Sequence, residues 1–450
     1  MGLRSCSTYA PPIRDSRLKR RGASGGFEFG PAAEGADCRV SPLDAKEASK
    51  MDASEVEDAF FCYDEDFLEK SDRALSIAPS ARLHILRTVA ARVFGLDPDP
   101  EVELAAARGL TPTAVDDSLI SAVELFVGAG PRAASERFVA HCAEFPNDLL
   151  ALYLRHGSLL TSGVRGDRAR ADASLEADAA RFKGNWRFDP LLAMVRQEHH
   201  QYDDARDLAE QSLAAQPGCA PAAHALAHVN YETGEHAAGM AWLEGWSLGR
   251  SPLFFRTHLP WHNALHALAL GEIDVALRCY REHIGPAAVV DAGSLLWRCR
   301  LWGAEVHEDG IAAATAAAPV TASIPMPFAA FNACLALAAA GDAVELASMS
   351  SRLEADDRPA FADLVAPVAR ALLAMVEDRP SDAVTLLRPL TEDLPRLGGS
   401  HAQREVVEDT MLRALVASGE YQSAGDLLRR RLERRSHSLD DHMLELVTAN

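Results

Sequence analysis

Residues 205–217 read ARDLAEQSLAAQP, and their internal spacing decides the fold: a small residue at Ala205, another at Ala209 and a proline at Pro217. Two small residues one helical turn apart let a second helix approach closely. A proline then ends the helix, because it lacks the N–H that a further turn needs. The same spacing recurs at Ala134, Phe138 and Pro146, and at Ala383, Leu387 and Pro395. A second signal precedes such helices, a glycine with a small residue five positions later: Gly234 with Gly239, Gly271 with Ala276, and Gly419 with Ala424. Glycine suits the end of the preceding helix, where the chain turns through a left-handed conformation. One helix pair cannot bury its own apolar stripe, so signals that repeat along the chain describe pairs stacked into a continuous core. The reading is all-α, a superhelical solenoid.

Outward from these stretches the texture agrees. Leu83, Leu86, Val89, Ala90 and Val93 recur at helical spacing, as do Leu119, Ala122, Val123 and Phe126, and no segment alternates with period two. Residues 53–450 therefore form one helical-repeat domain. Residues 1–52, rich in Gly, Pro and Ser without an apolar period, are expected to be a disordered polar tail. The formal net charge of −20 argues against a nucleic-acid partner, which would need clustered Lys and Arg; the dense basic run Arg17–Arg21 lies in the tail. Arg20-Arg21 has no apolar run behind it to make an export signal, and no run approaches the ~18 apolar residues of a membrane span. The eight cysteines form no C-x-x-C pair and are expected to be reduced thiols of a cytoplasmic protein. Gly22-Ala23-Ser24-Gly25-Gly26 matches G-x-S-x-G but lacks the strand and helix that a nucleophile elbow requires. The run Arg429-Arg430-Arg431 is expected to be a solvated face near a helix end.

The spacing of small residue, apolar residue and proline is that of a tetratricopeptide unit. The stretch around Asn147-Asp148-Leu149-Leu150-Ala151-Leu152 and His156 adds to it, with His224-Ala225-Leu226-Ala227-His228-Val229, Trp261-His262, Gly271-Glu272, His283-Ile284 and Asp291-Ala292-Gly293-Ser294-Leu295-Leu296-Trp297-Arg298. Over about 55–440, and most specifically over 220–303, the chain resembles the tetratricopeptide repeat protein 38 family. The resemblance implies the solenoid fold and no particular mechanism. The chain departs from that pattern at Pro190 and His199-His200, where glycines are expected.

Histidines concentrate between 224 and 266. His224 and His228 share one helical face, and His258, His262 and His266 repeat the four-residue spacing on the next equivalent helix, which Pro260 suggests begins there. Neighbouring helices of a solenoid pack roughly 8–10 Å apart, so the two sets can converge. The expected working surface is a concave groove lined by His156, His224, His228, Tyr231, His258, Trp261, His262 and Arg298, binding a peptide or a small acidic or aromatic ligand. Other readings are that the imidazoles pin the helix stack, or that His224, His228, His258 and His262 hold zinc or iron, with Glu232, Glu235, Asp291 or His156 completing the set. On a catalytic reading the candidates are His228, His262 and Asp291, since imidazole is well tuned for proton transfer near neutral pH. Cys279 and Cys299 lie close enough in sequence to be soft ligands, with inert buried thiols as the alternative; the tryptophans of this region are expected in the core.

Overall fold

Small residues carry the helices of this protein into contact. A computed structural model describes residues 53–250 and 252–449, so the polar tail 1–52, with Arg17–Arg21 and Gly22–Gly26, lies outside the described residues. The chain opens with α1 (53–62) and α2 (Phe67–Ile77). Pairs follow as α3–α4 (Ala81–Phe94, Pro100–Gly109), α5–α6 (Ala114–Ala129, Pro131–Glu144), α7–α8 (Leu149–Leu160, Asp167–Asp178) and α9–α10 (Asp189–Glu198, Tyr202–Ala215). The middle comprises α11–α12 (Ala220–Glu232, His236–Ser247), α13–α14 (Phe255–Ala269, Ile273–Cys279) and α15–α16 (Val289–Leu301, His307–Ser323). Then come α17–α18 (Pro327–Ala340, Ala343–Glu354) and α19–α20 (Ala366–Val376, Pro380–Leu387). A short α21 (His401–Arg404) leads into α22–α23 (Val406–Ala417, Tyr421–Arg434), and α24 (Ser438–Thr448) follows. The fold is an all-α helical-repeat solenoid. No helix among the described residues is long and apolar enough to cross a membrane.

The diagnostic residues lie where their spacing demands. Ala134, Phe138, Ala205, Ala209, Ala276, Ala383 and Ala424 are completely buried at helix contacts. Gly234, Gly271 and Gly419 turn through φ between 74° and 82°, in the left-handed region that favours glycine. His200 fills the equivalent position after α9 at φ 60°, which is how the chain does without the expected glycine. First helices of successive pairs pack on one another, α11 between α9 and α13, and α13 against α15.

Two local expectations are corrected. Pro395 does not end a regular helix: α20 gives way at Arg388 to a 3₁₀ stretch, Arg388–Leu397, because Pro389 removes a helical donor first. Pro260 lies inside α13 rather than at its start. The extra turn is held by Phe255, whose ring stacks on Tyr63 at 5.0 Å, and by His258, which is bonded to Asp291.

The solenoid also folds back on itself. Residues 400–441 reach the first helices of the middle pairs: α22 packs on α15 and α24 on α13. A buried charge network ties this seam. Arg435 pairs with Glu405 and donates to Glu232 at 2.9 Å, while Arg431 bridges Asp409 at 2.7 Å and Asp440 at 2.6 Å. Arg431 is only 3% exposed, so of the basic run Arg429 and Arg430 alone form the solvated face. Removing one partner of such a buried pair leaves the other uncompensated, at a cost of about 3–5 kcal/mol. Arg435→Ala is therefore expected to lower unfolding stability by about that amount in urea titration. Arg379→Ala, which breaks surface pairs, should leave the midpoint where it was.

Candidate functional site

The site grows from two adjacent first helices. On α11, Ala220, Ala222, Ala223, Ala225 and Ala227 are buried with at most 1% exposure, which seats the helix closely between its neighbours. His224 and His228 project together from this helix toward His258 and His262 of α13. The Nε2 atoms of His224 and His228 lie 3.0 Å apart, and those of His258 and His224 lie 3.1 Å apart. The His262 ring centre is 4.4 Å from that of His228, 4.9 Å from His258 and 5.0 Å from His224. One ring nitrogen from each of the four lies within 4.8 Å of the others. His228, His258 and His262 are buried, and His224 is half-buried.

Hydrogen bonding sets the lone pairs. Asp291, in the first turn of α15, lies 2.7 Å from His258 Nδ1 and accepts from the Thr257 hydroxyl at 3.2 Å. The carboxylate draws the hydrogen of His258 to Nδ1 and leaves Nε2 bare toward His224, the outer-shell arrangement of a metal-ligating imidazole. Neither nitrogen of His262 has a partner, although the residue has no exposure, and His228 Nδ1 is likewise unpartnered. A buried polar group without a hydrogen bond costs on the order of 1–3 kcal/mol. Burial, reinforced by neighbouring imidazoles, holds His224 and His262 well below the usual range, and burial pushes His228 down to about 4. These three rings are uncharged at neutral pH, the form in which imidazole binds a cation.

The remaining candidates fall elsewhere. Tyr231 donates to Glu405 at 3.0 Å, and its ring lies 4.2 Å under Arg435. Arg298 donates to Asp409 at 3.0 Å and to the Ala402 carbonyl at 2.6 Å, and lies over the Trp261 ring at 5.8 Å. Trp261 is fully buried and stacks on His258 at 5.1 Å. Of the positions expected to line an open groove, Tyr231 and Arg298 thus face the chain's own C-terminal segment. Glu232 is committed to His401 and Arg435, Glu235 to Arg206, and His156 is buried on α7 outside the quartet. Cys279 donates to the Pro260 carbonyl at 3.1 Å, and burial lifts both it and Cys299 to about 12, as inert thiols.

Sequence reasoning missed His236, which meets His266 at 3.2 Å between their Nδ1 atoms. It opens α12 while His266 lies on α13, so no spacing within one helix signals the pair. No family model matches the chain, so the functional reading rests on the site's own geometry.

Burial holds His156 and His236 near 4 and His266 near 3. An imidazole depressed in the folded state binds protons more readily when unfolded. Its destabilising effect is absent above the unfolded value, near 6.5, and grows as the pH falls from there toward the folded value. His401 opposes this trend: burial lowers its pKa, but the Glu232 carboxylate outweighs burial and raises it. Metal-free protein is expected to lose stability steadily from pH 6.5 to pH 4, measured as a falling thermal midpoint. His266→Leu should flatten that slope.

Proposed function

We propose that this chain is a metalloprotein on a tetratricopeptide-type scaffold, in which His224, His228, His258 and His262 hold one borderline transition-metal ion of the zinc or iron class. The observation that carries the reading is His262, completely buried with both ring nitrogens unpartnered, in the middle of three other imidazoles. An ion bound there would take up lone pairs that otherwise have no partner. Nitrogen-only ligation excludes the hard calcium and magnesium ions, which require oxygen. Asp291 would be the outer-shell residue, since its ion-pair contact is His258, with no Lys or Arg.

The charge balance bears on what the site binds. Four neutral imidazoles and one nearby carboxylate leave a dication with a net charge of about +1, which favours an anionic exogenous ligand. His224, the half-buried member, marks the side of the quartet nearest solvent. A small acidic ligand reaching the ion from that side fits this balance. The metal would polarise such a ligand as a Lewis acid or lower the pKa of a bound water.

Protein purified without chelators should carry close to one equivalent of zinc, iron or a related ion by elemental analysis. His228→Ala and His262→Ala should lose it, and Asp291→Asn should weaken affinity by about 10–100-fold. A folded wild-type protein that carries no metal and takes up none of added Zn²⁺, Co²⁺ or Fe²⁺ would refute the reading.

A further inference from the structure

A second histidine pair lies one helical turn beyond the quartet. On α13 the four-residue spacing continues from His262 to His266, whose Nδ1 meets His236 Nδ1 at 3.2 Å. His236 Nε2 donates to the Ser436 carbonyl at 2.8 Å, which leaves His236 Nδ1 bare. The hydrogen between the two Nδ1 atoms therefore belongs to His266, and His266 Nε2 is bare, buried and unpartnered. The Tyr231 ring flanks both imidazoles at 5.5 and 5.8 Å. Gly239 makes room for them, since a Cβ at that position would fall 2.9 Å from His266 Cε1 and 3.0 Å from Nε2.

Along α13 the pair lies between the quartet and a surface cavity. His236 lines a surface cavity of about 290 Å³, together with Gly234, Ser436, His437 and Asp441. Ser436, Ser438 and Asp441 on its rim are exposed. Inward from this cavity His236 meets His266, and His262, with both nitrogens unpartnered, lies one helical turn from His266 along α13 beside the rest of the quartet. The Ser436 carbonyl serves His236 as Asp291 serves His258, fixing one ring nitrogen as a donor so that the other is free to ligate.

We propose that His236 and His266 form a transit site through which a divalent transition-metal ion passes from the cavity to the quartet. The inference rests on the quartet being a metal site. An ion entering between the two Nδ1 atoms requires the hydrogen of His266 to move to its bare Nε2, a tautomer change with no net loss of a proton. Two nitrogen ligands bind an ion less tightly than four, so the ion is handed inward. The transit site then accounts for a histidine, His266, that is buried, uncharged and short of partners without belonging to the quartet.

The test follows Co²⁺ loading of metal-free, full-length protein by stopped-flow absorption. His236→Ala should slow loading by about tenfold or more, with the final occupancy and affinity of the quartet unchanged. His236→Cys, which restores a ligand at that position, should recover most of the rate. In wild-type protein, a second equivalent of Cu²⁺ should give a weaker electron paramagnetic resonance signal with two-nitrogen coupling. Unchanged loading in His236→Ala, or wild-type protein that takes up only one equivalent of Cu²⁺, would overturn the transit site while leaving the quartet intact. If His236→Ala does not fold, the wild-type Cu²⁺ titration decides alone. Absence of any Co²⁺ or Cu²⁺ binding by the wild-type protein would instead remove the quartet reading on which the inference stands.

Discussion

Arg435 brings a guanidinium to the interior of the molecule, where Glu405, Glu232 and the Tyr231 hydroxyl receive it. A charge in that position is tolerable only when paired with opposite charge, and its partners come from segments about thirty and two hundred residues away. Satisfying it requires the C-terminal helices to lie against the first helices of the middle pairs. The second network, from Asp409 to Arg298 and Arg431, imposes the same docking. Much else in the structure follows from this seam, because it covers positions that an open solenoid would expose.

Burial between the first helices of the middle pairs has an electrostatic consequence for the histidines. With little water nearby, the charged form of an imidazole loses its solvation, and like-charged neighbours add to the penalty. His224, His228 and His262 are therefore held neutral with lone pairs available, which is the state a cation site needs. Several other buried carboxylates have arginine partners, as Asp148 has Arg82, Asp178 has Arg155 and Glu198 has Arg168 and Arg404. Asp291 instead meets a histidine and a threonine hydroxyl. Its negative charge is directed through His258 toward the place where the four imidazoles converge. A cation bound there would complete the pairing that arginine supplies elsewhere.

The helix pairs were legible because their signals are local: small residues a turn apart, prolines at helix ends and glycines in left-handed turns. The quartet was legible in part: four-residue spacing puts each pair on one helical face, while the rotation of α13, which decides whether the faces meet, is not written in that spacing. Tyr231, Arg298 and Arg431 were not, and the cause is distance along the chain. Their partners Glu405 and Asp409 lie in segments whose periodicity says only that they are helical. Pro260 misled for a different reason: tertiary contacts of Phe255 and His258 outweigh the helix-breaking preference of one residue. The His236–His266 pair required knowing that the start of α12 faces the last turn of α13, which no spacing within either segment encodes.

Whether four imidazoles share one ion is read most directly by X-ray absorption at the metal edge of the zinc-loaded protein. The predicted spectrum has a first shell of nitrogen at about 2.0–2.1 Å with the outer-shell scattering of four imidazole rings and no sulfur. A first shell containing sulfur, or one dominated by oxygen with fewer than three imidazoles, would contradict it.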